Sequence, residues 1–241
     1  MRLIIIRHGD PDYSIDSLTP KGWKEADALS KYMENINVTS FYVSPLGRAQ
    51  DTANVTLKYL NRTAETLPWL KEFPTRVKHI DRPDELHAAW DWLPQIWTNN
   101  NDFYDANKWF NHPVFNEAHV KEEYDYVISE FRSFLKQHGY EKNGNIYKVT
   151  HSNHDTLCLF CHFGIECVLL SDLFSISPMV LWHSTVALPT GITTIYTEER
   201  EKGIASFRMN EFGSTAHLYA AGIEPSFSAR FAECFDDNTR H

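Results

Sequence analysis

Two short apolar runs near the N-terminus are each followed by a loop and then by a segment with helical periodicity. The first run, Leu3–Ile6, is continuous and mostly β-branched, which is typical of a strand buried on both faces of a parallel sheet. Thr19 and Pro20 then predict the N-cap and first residue of a helix. The order repeats with a strand at Phe41–Val43, a cap at Ser44 and a second helix. This alternation predicts an α/β fold, a three-layer α/β/α sandwich with a mostly parallel central sheet.

The segment 73–145 differs from its surroundings, because aromatic residues cluster there with asparagines and prolines. We expect a helical and loop insert, with a helix over 122–138 that ends before Gly139. Aromatic residues at helical spacing more often pack in a core than bind a ligand, so most are predicted to be buried and the rest to line a cap over a site. Beyond the insert, the pattern predicts strands at 146–150, 156–161, 192–197 and 204–210, and a helix at 165–173.

The length and charge of the chain narrow its class. Its 241 residues and 28.0 kDa suit a single domain, 1–241, that contains the 73–145 cap insert. The 23 basic and 32 acidic residues give a net charge of −9. Such acidity argues against nucleic acid or an anionic membrane as a partner, because binding there depends on neutralising phosphates. It leaves room for a small anion in a locally basic pocket, and the sequence is silent on oligomeric state.

The sequence shows no secretion or membrane signal. Its N-terminal apolar run is far shorter than the roughly 7 to 15 residues of a signal-peptide core, and no run approaches the roughly 18 residues of a membrane helix. We therefore expect a cytoplasmic protein. Cys158 and Cys161 form a C-x-x-C within an apolar run and have no second pair elsewhere. Buried strand thiols are thus favoured over metal or redox chemistry.

Arg7, His8 and Gly9 directly follow the first predicted strand. In an α/β sheet, the carboxyl ends of strands open into the ligand crevice, so these residues are expected where substrates bind. A guanidinium can bind phosphate oxygens through two hydrogen bonds, and a neutral imidazole can attack phosphorus. Gly9 is expected to let the backbone approach a bound anion closely. The triplet therefore indicates phosphate chemistry.

Two further motifs repeat the same placement. The segment from Ser44 to Ala53 follows a strand and opens a helix, which places Arg48 near the positive end of a helix dipole. His162, followed by Gly164, again lies between a strand and a helix. Three strand ends are thus predicted to supply two arginines and two histidines to one crevice.

Taken in order, these motifs resemble the histidine phosphatase superfamily, which has the phosphoglycerate mutase-like fold. The Arg-His-Gly triplet, the S-P-L-G-R-A-Q-D-T-A segment and the His-x-Gly element each match a family motif, and the segment 210–218 resembles its last strand and turn. The resemblance covers about residues 1–72 and 156–218 and leaves the insert unmatched. It implies that His8 is the nucleophile that becomes phosphohistidine, and that Arg7, Arg48 and His162 bind the phosphoryl group.

A leaving alcohol needs a proton, and in phosphatase-like members the resemblance places the donor in a Leu-x-Glu context. Leu70, Lys71 and Glu72 supply that context, so Glu72 is the predicted acid, and it is then available as the base for water. Asp84 and Glu85 are the reserve candidates.

A second placement of the site histidine is open in the sequence. His151 also follows a strand-like run, and His154 with Asp155 resembles the His-Asp-Thr of the acid phosphatase and phytase branch, in which the Asp is the acid. We favour His162, because the segment after His151 runs into another strand and not into a helix.

The other histidines carry weaker signals. No pair has metal-site spacing, and phosphohistidine chemistry needs no metal, so we expect no metal or cofactor. We expect four of them to be packing residues of the cap with access to substrate as the alternative, and three to lie on the surface. The cap set is His87, His112, His119 and His183, and the surface set is His79, His138 and His241.

These motifs are compatible with three functions: a phosphatase, a mutase, or a non-catalytic module that binds phosphorylated ligands. Cofactor-dependent mutases of the family carry a long basic segment after Arg-His-Gly, whereas here a short acidic loop, 10–17, leads to the next helix. A phosphatase acting on a small phosphorylated metabolite is therefore favoured. All five predicted site positions are filled, which argues against a purely binding role.

Overall fold

The computed structural model describes residues 1–80, 82–226 and 233–237. The strands within these ranges are β1 (Arg2–Arg7), β2 (Pro11–Asp12), β3 (Ser17–Leu18), β4 (Ser40–Val43), β5 (Ala64–Thr66), β6 (Arg76–His79), β7 (Arg82–Ala88), β8 (Tyr140–Asn143), β9 (Ile146–Val149), β10 (Thr156–Cys161), β11 (Ile192–Glu201) and β12 (Ile204–Ser214). The α-helices are α1 (Pro20–Met33), α2 (Gly47–Leu60), α3 (Pro94–Trp97), α4 (Pro113–Glu117), α5 (Val120–Gln137), α6 (Phe163–Phe174), α7 (Pro178–Ser184) and α8 (Ala216–Ala220).

The central sheet has the strand order β5-β4-β10-β1-β11-β12-β9-β8. Its first four strands are parallel, so their carboxyl ends meet at one edge. The other half is antiparallel, starting with β11 beside β1. The predicted α/β class is confirmed, and the parallel half is the one that carries the three motifs.

The N-terminal run forms a strand because both of its faces are covered. Leu3 and Ile5 are 0% exposed and belong to an apolar cluster with α5 and α6. Ile4 and Ile6, which point to the opposite face, are at most 1% exposed and pack with α1 and α2. Because successive side chains of a strand alternate between faces, this unbroken apolar run supplies both cores of the sandwich.

The helix boundaries agree with the sequence at one site and correct it at another. Thr19 is the N-cap of α1, and its hydroxyl accepts a hydrogen bond from the amide of Gly22, as predicted. Ser44 was predicted to cap the second helix, but α2 begins at Gly47 with Leu46 in the N-cap position. The Ser44 hydroxyl oxygen lies 2.7 Å from Nε2 of His162, after β10, and it also accepts the amide of Leu46 ahead of α2 at 3.3 Å.

The insert is less regular than the sequence suggests but equally well packed. The helix predicted over 122–138 is confirmed as α5, and Gly139 after it has φ +96°, a conformation that favours glycine. The strands β6, β7 and β8 were missed, because their sequences hold few β-branched residues. Most of the aromatic residues are buried, as predicted, and Trp92, Phe103, Trp109 and Phe115 are at most 4% exposed.

Cys158 and Cys161 are fully buried on β10, as predicted, and burial raises the pKa of both thiols. Over 1–80, 82–226 and 233–237, no group of three or more histidine, cysteine or acidic side chains has the arrangement of a metal site. None of the helices in those ranges is both long enough and apolar enough to cross a membrane.

Candidate active site

The carboxyl ends of β1, β4 and β10 place three motifs side by side. His8 follows β1, His162 follows β10, and the ring centroids of the two histidines are 5.0 Å apart. Ser44 follows β4, which lies next to β10, and Arg48 lies in the first turn of α2. The four residues meet because parallel strands all end at the same edge of the sheet.

His8 is buried, and its hydrogen bonds identify its tautomer. Its Nδ1 lies 2.7 Å from the carbonyl oxygen of Gly9, which only accepts, so Nδ1 carries the proton. Nε2 is therefore the atom with a free electron pair, and the Nε of Arg48 donates to it over 3.3 Å. Burial, followed by the charges of Arg7 and Arg48, holds the pKa of His8 well below its usual range. The ring is thus neutral at physiological pH.

The two arginines of the site come from different elements. Arg7 is 7% exposed at the end of β1; its Nη1 donates to the carbonyl of Ala187 at 2.7 Å, and its Nε has no partner among the described residues. Arg48 donates from Nη1 to Oδ1 of Asp16 at 2.5 Å. The other oxygen of Asp16 accepts the amide of Gly47 at 2.7 Å, so one carboxylate fixes both the helix start and the guanidinium.

His162 is 0% exposed, and Ser44 determines its orientation. Nε2 of His162 and the Ser44 hydroxyl oxygen are 2.7 Å apart, while Nδ1 has no hydrogen-bond partner in the described part of the chain. Burial lowers the pKa of His162 well below the usual value, helped by the positive groups beside it. Neither Ser44 nor Asp16 was predicted as a site residue. The acidic residues of the β1–α1 loop were the signal that could have pointed to Asp16. Ser44 was missed because it was predicted to cap the second helix.

Gly9 is required for a close contact with α1, a reason that the sequence did not reveal and that is separate from the predicted approach to an anion. A Cβ atom at this position would lie 2.9 Å from the backbone carbonyl oxygen of Gly22 in α1. The Gly9 amide also donates to the Thr52 hydroxyl of α2 at 2.9 Å. The glycine therefore allows the turn after β1 to pack directly on two helices.

Glu72 reaches the same edge of the sheet from the loop after β5. Its Oε1 accepts the amides of Phe73 and Ile165, each at 2.9 Å, and Oε2 accepts the amide of Gly164 at 3.3 Å. Burial raises the pKa of Glu72, although the amides and the charge of Arg7 oppose it. The carboxyl group is thus held against the first turn of α6, directly after His162.

Glu166 is a buried carboxyl group that the sequence did not reveal. It is 0% exposed in α6, and neither of its oxygens makes a hydrogen bond of normal geometry within the described ranges. Burial raises its pKa to about 8, against the opposing effects of the Thr193 hydroxyl and the charge of Arg7. It escaped prediction because it lies in an otherwise apolar helical segment.

The alternative site residues lie elsewhere. His154 and Asp155 precede β10, whereas His162 follows it, and a strand of six residues separates the two ends by about 20 Å. His151 is exposed in the same preceding loop. The reserve acids Asp84 and Glu85 are exposed on β7. The structure thus brings together Arg7, His8, Arg48, Glu72 and His162 and leaves these residues apart.

Several of the remaining histidines differ from expectation. His79, predicted on the surface, is 0% exposed, because its ring packs 4.5 Å from that of Trp92 and its Nε2 bonds to the Ala88 carbonyl. His138, also predicted there, is half-buried beside the Tyr42 hydroxyl. His241 lies outside the described residues. In the cap set, His87, His112 and His183 are partly buried, whereas His119 is exposed.

Known proteins share this sequence pattern and fold. A family model described as histidine phosphatase superfamily (branch 1) matches residues 3–210. The chain is 25% identical over 204 residues to the adenosylcobalamin/alpha-ribazole phosphatase of Escherichia coli, covering 77% of this chain and 85% of that protein. It is 36% identical over 103 residues to the mitochondrial serine/threonine-protein phosphatase Pgam5 of Caenorhabditis elegans, covering 40% of this chain and 34% of that relative, so the match spans about a third of the relative's length.

Among solved structures, a phosphoserine phosphatase from Entamoeba histolytica, in complex with 3-phosphoglyceric acid, has a TM-score of 0.60 and 19% identity over 90% of this chain and 98% of that one. Bacillus stearothermophilus YhfR has a TM-score of 0.56 and 18% identity, again over 90% and 98% of the two chains. These likenesses confirm the predicted phosphoglycerate mutase-like fold. With the family model covering most of its length, the chain belongs to the histidine phosphatase superfamily, in branch 1.

Proposed function

We propose that this protein hydrolyses the phosphomonoester bond of a small phosphorylated metabolite through a phosphohistidine intermediate on His8. The observation that carries the proposal is the state of the His8 ring: Nδ1 donates to the Gly9 carbonyl, which leaves the electron pair on Nε2. A neutral imidazole with a free nitrogen beside two guanidinium groups is suited to attack a bound phosphoryl group.

In the first step, Arg7, Arg48 and His162 hold the phosphoryl oxygens, and Nε2 of His8 attacks phosphorus. The bond from phosphorus to the ester oxygen breaks as the nitrogen–phosphorus bond forms. Glu72, whose pKa is raised by burial, gives its proton to the departing oxygen, so an alcohol leaves and not an alkoxide. The proton that remains on Nδ1 of His8 stays hydrogen-bonded to Gly9 and stabilises the charge on the phosphorylated ring.

In the second step, a water molecule takes the place of the alcohol. Glu72, now a carboxylate, removes a proton from the water as its oxygen attacks phosphorus. The nitrogen–phosphorus bond breaks, its electron pair returns to Nε2, and inorganic phosphate forms. Glu72 is protonated again, so one residue serves as acid and then as base.

Hydrolysis is favoured over mutase transfer by the β1–α1 loop. A mutase must retain a phosphorylated product that carries a second anionic group, for which basic residues are needed. The loop 10–17 contains Asp10, Asp12 and Asp16 and no lysine or arginine. The carboxylate of Asp16 already occupies one nitrogen of Arg48.

The wider assignment is part of the same proposal. The partner is a small phosphorylated substrate and not nucleic acid or a membrane, in keeping with the net charge of −9. We place residues 1–241 in one domain with 73–145 as its cap. A cytoplasmic location is supported by the free thiols of Cys158, Cys161 and Cys167, which a reducing compartment preserves.

The experiment is hydrolysis of a generic phosphomonoester by the purified protein in excess chelator, combined with brief exposure to a 32P-labelled substrate. We expect turnover and an acid-labile label on the wild-type protein, and neither on His8→Ala. His154→Ala, an exposed histidine at the other end of β10, is the matched control and should keep both. Activity that persists in His8→Ala would contradict the mechanism, whereas binding without turnover or label would identify a binding module.

A further inference from the structure

Gly164 is the point where the cap insert meets the acid of the proposed mechanism. A Cβ atom on Gly164 would lie 2.7 Å from Oε1 of Glu72, 2.7 Å from Cη2 of Trp90 and 2.8 Å from Cζ3 of Trp90. The carboxyl group and the six-membered edge of the indole therefore crowd the same space above the first turn of α6. Only a residue without a side chain fits beneath them.

The Trp90 ring is held firmly in this place. Its centroid lies 5.8 Å from that of Trp182, which is fully buried. The Nε1 of Trp182 donates to the carbonyl of Gly164 at 3.0 Å, so α7, the cap and the turn after His162 are joined at one contact. Trp92, Phe103, Trp109 and Phe115 of the cap are buried, whereas Trp90 keeps part of its surface accessible.

Charged and polar neighbours alone do not explain the raised pKa of Glu72. Arg7 of β1 and three backbone amides all favour its carboxylate form. Glu166 and Cys167 of α6 and Cys161 of β10 also interact with it, and burial raises the pKa of all three groups, which favours their neutral forms. Burial removes water from the carboxyl group, and this outweighs the four partners that favour the carboxylate. The pKa of Glu72 is therefore raised. The indole edge that shares the space above Gly164 with Oε1 is an apolar surface, and it removes water there.

We infer that Trp90 is a positioning residue for the general acid: its ring excludes water from the Glu72 carboxyl group at Gly164 and so favours the protonated form that donates to the leaving oxygen. This inference rests on the proposed function. It assigns to the cap a role in the chemistry, in addition to covering the site.

The inference is tested with two substrates that differ in their need for an acid. The alkoxide of 2-glycerol phosphate leaves slowly unless it is protonated, whereas 4-nitrophenolate leaves without a proton. We expect Trp90→Gln to lower kcat on 2-glycerol phosphate about tenfold more than on 4-nitrophenyl phosphate, with Glu72→Gln giving the same pattern at about 100-fold or more. Trp90→Phe, which keeps an apolar ring, should restore the ratio. The basic limb of the pH profile should move to lower pH in Trp90→Gln and return in Trp90→Phe.

Trp97→Gln is the matched control, because Trp97 is also a partly buried cap tryptophan but stacks on His183 and Tyr104, away from Glu72. It should leave the substrate ratio and the pH profile unchanged. An equal loss on both substrates in Trp90→Gln, with an unchanged pH profile, would overturn the inference and reduce Trp90 to a packing residue.

A direct titration separates this inference from the proposed function. The carboxyl 13C signal of Glu72, identified by its loss in Glu72→Gln, is followed against pH in protein without substrate. We expect its midpoint to fall by about one pH unit in Trp90→Gln. A midpoint that does not move would overturn the inference even if hydrolysis is established. Absence of hydrolysis in the wild-type protein would overturn the proposed function whatever the titration gives.

Discussion

The two site histidines are chemically identical, and their different environments suit them to the different roles proposed for them. Nδ1 of His8 donates to a carbonyl oxygen, so the proton stays on Nδ1 and Nε2 keeps a free electron pair. Nε2 of His162 is hydrogen-bonded to the Ser44 hydroxyl, which orients the ring. Nδ1 of His162 has no hydrogen-bond partner among the described residues. The first arrangement suits a nucleophile, and the second suits a group that donates to a phosphoryl oxygen.

Ser44→Ala tests this division of roles. Without the hydroxyl, His162 loses the hydrogen bond that orients it, and we expect kcat on 2-glycerol phosphate to fall about tenfold. The phosphohistidine should still form, because His8 does not contact Ser44. Steady-state rates and rapid-quench labelling measure the two effects. Ser133→Ala, on the exposed face of α5, is the control; a Ser44→Ala protein as active as that control would show that Ser44 has no part in orienting His162.

Asp16→Asn tests whether the carboxylate that pairs with Arg48 helps or opposes the binding of phosphate. By charge alone, loss of an acid should tighten the binding of an anion. The ion pair with Arg48 predicts the reverse, because the guanidinium loses the partner that aims it, and we expect KM to rise several-fold.

Asp12→Asn provides the matched comparison, since Asp12 lies in the same loop but bonds to Ser14 and not to Arg48. It should lower KM slightly or leave it unchanged. A fall in KM for both variants would mean that only net charge matters, and would contradict a positioning role for Asp16.

At the scale of elements, the site depends on how closely the turn after β1 approaches α1 and α2. Gly9 packs against the backbone of Gly22, and a Cβ on Gly22 would clash with the backbone of Asp10. Backbone atoms cannot move aside as a flexible side chain does. The positions of His8 and Arg48 therefore rest on a backbone-to-backbone contact with α1 and on the hydrogen bond from the Gly9 amide to Thr52 of α2.

Gly22→Ala is expected to destabilise the protein, although alanine favours a helix over glycine by about 1 kcal/mol. The clash with Asp10 should reverse the sign and lower the free energy of unfolding by about 1–3 kcal/mol. Urea unfolding measures it, with Ser133→Ala on α5 as the substitution that shows the ordinary gain in helix propensity. A Gly22→Ala protein more stable than wild type would refute the close contact.

For the whole molecule, the sheet separates two apolar cores and carries a group of buried polar side chains where its parallel strands end. Arg7, His8, His162 and Glu166 are all at most 7% exposed there. Such groups cost stability, because desolvation opposes their charged forms and few partners compensate. The protein thus gives up stability at the edge of the sheet where we propose that its chemistry takes place.

Because Glu166 is buried, we expect the free energy of unfolding to depend on pH. The pKa of Glu166 is about 8 in the folded state and 4.5 as its ordinary value, so between these values the folded protein binds a proton that the unfolded chain releases. Stability therefore falls as pH rises through this window, by up to about 1.4 kcal/mol per pH unit. Glu166→Gln should remove most of that slope.

Urea unfolding at a series of pH values through this window, with the exposed Glu201→Gln as control, measures the effect. The wild-type and control proteins should weaken in parallel as the pH rises, and Glu166→Gln should diverge from them. Parallel curves for all three proteins would show that Glu166 is ionised at neutral pH.

Local sequence was enough to place Arg7, His8, Arg48 and His162, because each follows a strand or opens a helix, and strand ends of a parallel sheet converge by geometry alone. The α/β class, the cap of α1 and the extent of α5 were predictable for the same reason: their patterns act over a few residues. The contacts of Ser44 with His162 and of Asp16 with Arg48, and the approach of both Trp90 and Glu72 to Gly164, join segments remote along the chain. No periodicity reports such contacts, since they depend on how finished elements pack. The sequence therefore placed the reactive groups, and tertiary packing set their tautomers, their partners and the water around them.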